Sequence, residues 1–150
     1  MDSSTTSQAG HVVDLSIHFA RIYLNVAAND AVYIDHFIDH VQVNGLENLK
    51  GRLKPSWDVP KDDPFWLKKV QFARHWDLWH YHLGMPDYDE TNGHGDCTSQ
   101  WVLHLRRHPD GNRTQIVDWD KHPPFALPDE KYFIMPGDEA PFPFPPRHSK

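Results

Sequence analysis

The chain has 150 residues, a formal net charge of −6, 39% hydrophobic residues and 13% aromatic residues. A chain of this length and composition can bury one hydrophobic core, so we expect a single domain and no second full domain. The acidic balance argues against a generally basic nucleic-acid-binding protein. The lone cysteine, Cys97, excludes an internal disulfide framework, and a structural thiol is the favoured interpretation.

The first ten residues are small and polar, with neither a basic start nor an apolar run. We therefore expect residues 1–10 to form a disordered tail and the protein to be cytoplasmic, without a secretory signal. No apolar stretch approaches the roughly 20 residues that a membrane-spanning helix requires. A membrane partner is accordingly not expected.

Two helices are predicted at the start of the folded region. From His11 to about Ala28, apolar residues recur at helical spacing, namely Val12, Leu15, Phe19, Ile22 and Val26. Asn29 and Asp30 are predicted to cap a second helix that ends near Gly45, with an inner face of Ile34, Phe37, Ile38 and Val41. We expect the two helices to pack as a hairpin. Prolines at 55, 60 and 64 then predict a loop over residues 53–65.

Downstream of this loop, the spacing of apolar residues predicts strands. Val70, Phe72 and the run from 76 to 83 predict one hairpin, and residues 84–98 read as a polar loop. The runs 101–105 and 114–119 flank the turn signal Asp110-Gly111-Asn112, which predicts a second hairpin over residues 100–119. Prolines dominate the end of the chain, so residues 136–150 are expected to be an extended or disordered tail.

The most informative motif is His80-Tyr-His82, because alternation along a strand places both imidazoles on one face. Imidazole gains and loses a proton near neutral pH, so a positioned pair can serve both ends of an acid–base reaction. The pair could instead occupy a polar sheet face, or bind zinc or iron with a third ligand from His104, Asp118, Asp120 or His122. Because the histidines lack the cysteine or carboxylate spacing of a closed metal site, we expect no metal.

Two further groups of residues carry candidate site chemistry. His104 and Arg106 alternate onto one side of a strand, and a guanidinium can hold phosphate through two hydrogen bonds. His122 leaves the second hairpin, where Asp118 or Asp120 could orient its ring. Both groups also admit a structural interpretation, as a solvated strand end and as a charged turn rigidified by prolines. Candidate RNA-binding cations are Lys68, Lys69, Arg74 and Lys121.

The order helix, helix, strands, with the run Gly45-Leu-Glu-Asn-Leu-Lys-Gly-Arg52 before the first strand, resembles the RelE/ParE superfamily of toxins from type II toxin–antitoxin systems. His80-Tyr-His-Leu83 is similar to the His-x-His-Leu strand of the YafO-like branch. The resemblance covers roughly residues 11–127. It implies one α+β toxin domain over residues 11–135, in which two N-terminal helices pack on a twisted antiparallel sheet of about four strands.

This resemblance also implies a function, that of an endoribonuclease that cuts mRNA, in many members on the ribosome, without a metal or a small-molecule cofactor. An antitoxin protein would neutralise it by wrapping the toxin. His80 and His82 are then assigned to acid–base catalysis and Arg106 to the phosphate, with His122 and His104 in reserve. The ParE branch acts on DNA gyrase, so a gyrase-directed toxin stays open. A non-catalytic protein-binding module and a small His-x-His metalloenzyme stay open as well.

Overall fold

A computed structural model describes residues 10–107, 111–122 and 126–138 of the chain. These residues form five strands, three α-helices and one short 3₁₀ helix, in the order β1 (Val12–Leu15), α1 (Ile17–Asn25), α2 (Ala28–Asn44), β2 (Leu53–Pro55), α3 (Trp66–His75), β3 (Leu78–His82), β4 (Trp101–Arg107), β5 (Arg113–Lys121) and the 3₁₀ helix (Glu130–Phe133). The strands form one sheet in the order β1-β5-β4-β3-β2. The predicted α+β class is confirmed.

Helices α1 and α2 pack on one face of this sheet. Their buried side chains Phe19, Ile34, Phe37 and Val41 contact the strand residues Tyr81, Leu103, Leu105 and Ile116. Ser16 joins helix and sheet, because its Oγ accepts a hydrogen bond from Phe19 N (3.0 Å) and donates one to Val117 O (3.2 Å). The helical spacing of the sequence therefore predicts the inner face of α2 correctly, whereas in α1 it identifies only the buried Phe19 and the partly buried Ile22.

The opposite face of the sheet carries His80, His82 and His104, and it is called the histidine face below. At one end of it, α3 and the 3₁₀ helix bury an apolar cluster of Ala73, Trp76, Leu78, Val117 and Phe133. A bulge in β5 shapes the middle, since Leu105 pairs with Ile116 but His104 pairs with Asp118, which leaves Val117 as the extra residue. The histidine face therefore changes from apolar to polar along the same three strands.

The N-terminal elements differ from the prediction at their boundaries. Residues 12–15 form β1 rather than the first turn of a helix, because they pair in parallel with residues 113–116 of β5. The i, i+3 spacing of Val12 and Leu15 fits a helix equally well, so the sequence misleads here. Helix α2 begins after Ala27, which makes no side-chain cap, so Asn29 and Asp30 lie within its first turn. It ends at Asn44, before Gly45 with φ 67°, as predicted.

The middle of the chain departs further from the prediction. The expected hairpin from Val70 to Leu83 is wrong, because residues 66–75 form helix α3. Asp63 stabilises the start of this helix, as its Oδ1 accepts from Phe65 N at 2.8 Å and its Oδ2 lies 2.7 Å from Lys69 Nζ. Strand β3 pairs instead with β4 and with β2, which lies inside the predicted loop over 53–65.

In the described part of the chain the sheet consequently has five strands rather than about four, and it is mixed, since β1 and β5 are parallel. The hairpin predicted over 100–119 is confirmed by the antiparallel pairing of β4 with β5. Its turn residue Asp110 and most of the two predicted tails, 1–10 and 136–150, lie outside the described residues. Within the described ranges, no helix is both long enough and apolar enough to cross a membrane.

Candidate functional site

Three histidines meet at the polar end of the histidine face. Alternation along β3 brings His80 and His82 to this side, and His122 follows the end of β5. The ring centroids of the three residues are 5.4–6.1 Å apart. One ring nitrogen of each lies within 4.8 Å of the other two. The structure thus brings together three of the five predicted catalytic residues, and this group is called the histidine cluster below.

Hydrogen bonds from neighbouring segments orient the two strand histidines. Nδ1 of His80 lies 2.9 Å from Ser56 Oγ, just after β2. Nδ1 of His82 lies 2.9 Å from the carbonyl oxygen of Ser99 and 3.0 Å from its amide nitrogen. Nδ1 of both rings is engaged with the protein, and Nε2 can accept a proton or bind a metal in the tautomers whose Nδ1–H donates to Ser56 Oγ and to Ser99 O.

His82 and His122 line a cleft of about 450 Å³. Its other lining residues are Arg52, Asp87, Asp89, Thr98, Ser99 and Gln100. The backbone N–H of His122 donates to Gln100 O at 2.6 Å, which fixes this residue at the rim. A cleft of this volume falls within the range of small-molecule sites, about 300–1,000 Å³.

Arg52 supplies a guanidinium to the cleft. Its Nε donates to Asp96 Oδ1 at 2.5 Å and its Nη2 to Asp96 Oδ2 at 3.3 Å. The backbone carbonyl of Arg52 accepts from His82 N at 3.1 Å, so the two residues are held side by side. The hydrogen bond to Asp96 raises the pKa of Arg52. Sequence reasoning missed this role, although Arg52 ends the Gly45–Arg52 run, because nothing in the sequence shows that the segment lies against β3.

Burial lowers the pKa of every member of the histidine cluster. The pKa of His80 falls to about 3, mainly through burial and next through the neighbouring His104. Burial also lowers the pKa of His82 and, with help from Arg52, that of His122. All three imidazoles are therefore neutral near pH 7, the form that accepts a proton or binds a metal. His80 is a poor proton donor because its cation is the most strongly disfavoured.

The other two predicted catalytic residues lie away from the cleft. His104 pairs with His80 across β3 and β4, is 1% exposed, and has its pKa lowered to about 3 by burial. Arg106 lies at the apolar end of the histidine face, where its Nη1 donates to Gln115 Oε1 at 3.0 Å and its guanidinium lies 5.1 Å from the ring of Trp76. Among the described residues that line the cleft, the guanidinium belongs to Arg52.

The cations predicted to bind RNA are spread over the surface. Lys68 and Lys69, on α3, line a separate depression of about 600 Å³. Arg74 is exposed near the end of the same helix. Lys121 is the only one of the four that adjoins the histidine cluster in sequence, directly before His122.

Gly51 allows the Arg52 segment to lie against β3. A Cβ at this position would lie 2.1 Å from His82 O and 2.6 Å from Tyr88 Oη. Tyr88 Oη in turn donates to His82 O at 2.8 Å. Such a close approach admits no side chain, so the geometry of the site depends on this glycine. Sequence reasoning did not single it out.

A second group of possible metal ligands lies deeper in the histidine face. It consists of His104, Asp118 and Asp120, whose ligand atoms also lie within 4.8 Å of one another. Asp118 Oδ1 is 3.0 Å from His18 Nε2, so this carboxylate orients His18 rather than His122. None of the three residues lines the cleft.

Cys97 behaves as the structural thiol that the sequence favours. It is buried, and its Sγ donates to Gly93 O at 3.2 Å. Its backbone also forms an isolated bridge with Gly51. The cysteine therefore helps to hold the loop that precedes β2.

The cleft combines a guanidinium with neutral imidazoles on the end of a rigid sheet. Comparisons of the chain with protein-family models and with curated proteins found no match, and a comparison with solved structures also found none. The function of the chain is therefore inferred from the geometry of this site.

Proposed function

We propose that this chain is a cytoplasmic toxin of a toxin–antitoxin pair and that it cuts RNA without using a metal in the reaction. The observation that carries the proposal is that His82, His122 and Arg52 line one cleft. Cleavage of RNA through the ribose 2′-hydroxyl needs a base, an acid and a cation that stabilises the charge on the phosphorane. The cleft holds side chains suited to all three roles.

His82 is assigned the base and His122 the acid. His82 is buried, and in the tautomer whose Nδ1–H donates to Ser99 O its Nε2 accepts the proton of the 2′-hydroxyl as that oxygen attacks phosphorus. His122 is neutral near pH 7 but only half-buried, so it takes a proton from solvent to become the acid that protonates the leaving 5′-oxygen, and only the fraction of molecules that carry this proton is active. The expected products are a 2′,3′-cyclic phosphate and a 5′-hydroxyl.

Arg52 takes the phosphate role that the sequence assigned to Arg106. Arg52 lines the same cleft as the two imidazoles, its charge acts on His122, and its ion pair with Asp96 fixes the position of its guanidinium. His80 is buried, and its ring lies edge-on to the ring of His82 with the centroids 6.1 Å apart, so we assign it the role of a residue that positions His82. The proposed acid–base pair is therefore His82 and His122, in place of the predicted pair His80 and His82.

The acidic character of the chain favours RNA that is presented by a larger partner. The net charge is −6, and Asp87 and Asp89 line the cleft beside Arg52. These carboxylates repel a free phosphate backbone, so affinity for naked RNA is expected to be low. We therefore favour mRNA on the ribosome as the substrate, with an antitoxin protein as the natural inhibitor.

Expression of the chain without an antitoxin tests the proposal. We expect growth to stop and mRNA to be cut, with mapped 5′ ends showing where. His82→Gln and His122→Gln should each lower cleavage by roughly 10²–10⁴-fold, because glutamine cannot move a proton near neutral pH. His36→Gln, an exposed histidine on α2, is the matched control and should behave as the wild type.

The same experiment separates this function from the competing ones. A gyrase-directed toxin would damage DNA and leave RNA intact, whereas a protein-binding module would leave both unchanged. Normal growth with intact RNA, or a folded His82→Gln/His122→Gln double variant that stays fully toxic, would overturn the proposal. Thermal unfolding of each variant shows whether lost cleavage reflects lost folded protein.

A further inference from the structure

We propose that the histidine cluster of His80, His82 and His122 binds one transition-metal dication, with zinc as the best fit. The inference rests on the convergence of three imidazoles, each offering a nitrogen within 4.8 Å of the others. It goes beyond the proposed function and does not depend on it. Two of these ligands come from one strand, and the third comes from the end of β5.

The spacing of the rings is close to that of a three-histidine zinc site. Tetrahedral zinc with Zn–N bonds of about 2.0–2.1 Å places ligand nitrogens about 3.4 Å apart and ring centroids about 5 Å apart. The observed centroid distances are 5.4–6.1 Å. Formation of a tetrahedral zinc site therefore requires each imidazole ring to shift by less than about 1 Å. His122 lies beyond the end of its strand and is half-buried, so it can supply most of this movement.

The hydrogen bonds around the cluster are those that metal-bound histidines make. A ligating imidazole commonly uses its second ring nitrogen to contact an oxygen of the protein, which fixes its orientation. Nδ1 of His80 contacts Ser56 Oγ, and Nδ1 of His82 contacts Ser99 O, each at 2.9 Å. In the tautomers whose Nδ1–H donates to these oxygens, the Nε2 atoms carry the lone pairs that would bind the metal. The cleft lies on the open side, where water or another small ligand completes the tetrahedron.

The ligand set selects the class of metal. Neutral imidazoles favour zinc, copper, nickel or iron, whereas magnesium and calcium favour oxygen ligands. Two cations, Arg52 and Lys54, lie near the cluster and oppose a dication. Each is paired with a carboxylate, Asp96 at 2.5 Å and Asp58 at 3.1 Å. Two more carboxylates, Asp87 and Asp89, line the cleft, so the charges around the cluster do not prevent a dication from binding.

A bound metal would exclude the proton-transfer chemistry proposed above. Coordination uses the ring lone pairs of His82 and His122, and a base needs one of those same lone pairs. If the chain cuts RNA, zinc should therefore inhibit cleavage, and a chelator should restore it. The binding itself is measured without RNA, so a failure of either proposal leaves the other to be judged separately.

Zinc titration of the full-length, chelator-treated protein is the direct test. We expect one equivalent to bind, by calorimetry and elemental analysis, and cobalt to give the absorption of a tetrahedral site. His82→Gln and His122→Gln should each weaken zinc binding by at least about 100-fold, since loss of even a supporting contact costs 10–100-fold. His36→Gln should bind zinc as the wild type does, and magnesium should not compete.

Two more measurements distinguish the loss of a zinc ligand from misfolding of the variant and from zinc binding at another place on the protein. Excess zinc should raise the melting temperature of the wild type but not that of folded His122→Gln. Asp120→Asn, in the deeper group, should leave zinc affinity unchanged. The absence of stoichiometric zinc, wild-type affinity in both histidine variants, or loss of binding in Asp120→Asn alone would overturn the inference.

Discussion

The two ends of the histidine face are built on the same strands but differ in what covers them. At one end, α3 and the 3₁₀ helix bury Trp76, Leu78 and Phe133 in an apolar cluster. At the other end, His82 and His122 line a cleft. The position of the covering helices, rather than the sheet itself, therefore decides which end of this face is open to solvent and can bind a ligand. Substitutions at the two ends should therefore separate stability from activity.

Phe133→Ala should give the largest loss of stability at the covered end. Phe133 is 2% exposed, stacks on Trp76 with ring centroids 4.5 Å apart, and contacts the edge of Phe72 at 5.8 Å. Truncation of such a ring leaves a cavity and should lower the free energy of unfolding by about 3–5 kcal/mol. Urea denaturation measures the loss. RNA cleavage per folded molecule should stay at the wild-type level. A loss of cleavage with normal stability would contradict a purely structural role for the covered end.

The two arginines of the histidine face test the same division by activity. Arg52→Gln, at the cleft, should lower RNA cleavage by roughly 10²–10³-fold, because a preorganised donor to the phosphorane is removed. Arg106→Gln, at the covered end, is the matched substitution and should leave cleavage per folded molecule almost unchanged. Single-turnover rates on a defined RNA compare the two. A larger effect at Arg106 would return the phosphate role to the residue that the sequence favoured.

Gly51→Ala should affect both stability and the site. The new Cβ would lie 2.1 Å from His82 O, so the Arg52 segment must move away from β3. Overpacking of this kind should cost about 1–3 kcal/mol of folding free energy and lower both cleavage and zinc affinity.

Gly93→Ala provides the control for this substitution. Its φ is 85°, but a Cβ there meets nothing within 4 Å, so the expected cost is backbone strain alone. Cleavage should then be normal. Equal effects of the two substitutions on the site would contradict the role given to the close approach at Gly51.

The buried His104 should make stability depend on pH. Burial lowers its pKa from 6.5 to about 3 in the folded protein. Between these values the unfolded chain binds a proton that the folded chain does not, so stability falls as the pH falls. The slope should be at most about 1.4 kcal/mol per pH unit for this residue.

His104→Gln should remove this contribution to the slope between about pH 6 and 4. Urea denaturation in the presence of a chelator, repeated at several pH values, measures the difference from the wild type. Above about pH 7 the two proteins should show the same pH dependence. An unchanged slope in the variant would mean that His104 does not remain neutral on folding.

Local patterns in the sequence predict much of the fold, but they fail where distant segments decide the structure. Alternation along residues 78–82 predicts β3 correctly, and the apolar spacing of α2 predicts its buried face. Strand β1 escapes prediction because its partner, β5, lies far along the chain. Helix α3 escapes it although residues 67–74 include good helix formers, because the aromatic residues in and around this segment favour strands.

The candidate site shows the same division. The sharing of one face by His80 and His82 follows from strand periodicity, and His122 could be named from its position after β5. The contribution of Arg52 could not be predicted, because it depends on the register of a three-residue strand and on Gly51. The displacement of Arg106 from the cleft likewise depends on which end of the sheet α3 covers, and no local pattern states that.

The parallel pairing of β1 with β5 has a consequence for biosynthesis. Ser16, which begins α1, bonds to Val117, 101 residues further along the chain. During translation, β1 and α1 leave the ribosome before β5 does, and they cannot pack on β5 until it has been synthesised. Contacts of such sequence separation slow folding. A chain that ends before β5 would lack both the partner of β1 and α1 and the residue His122, so it should be inactive.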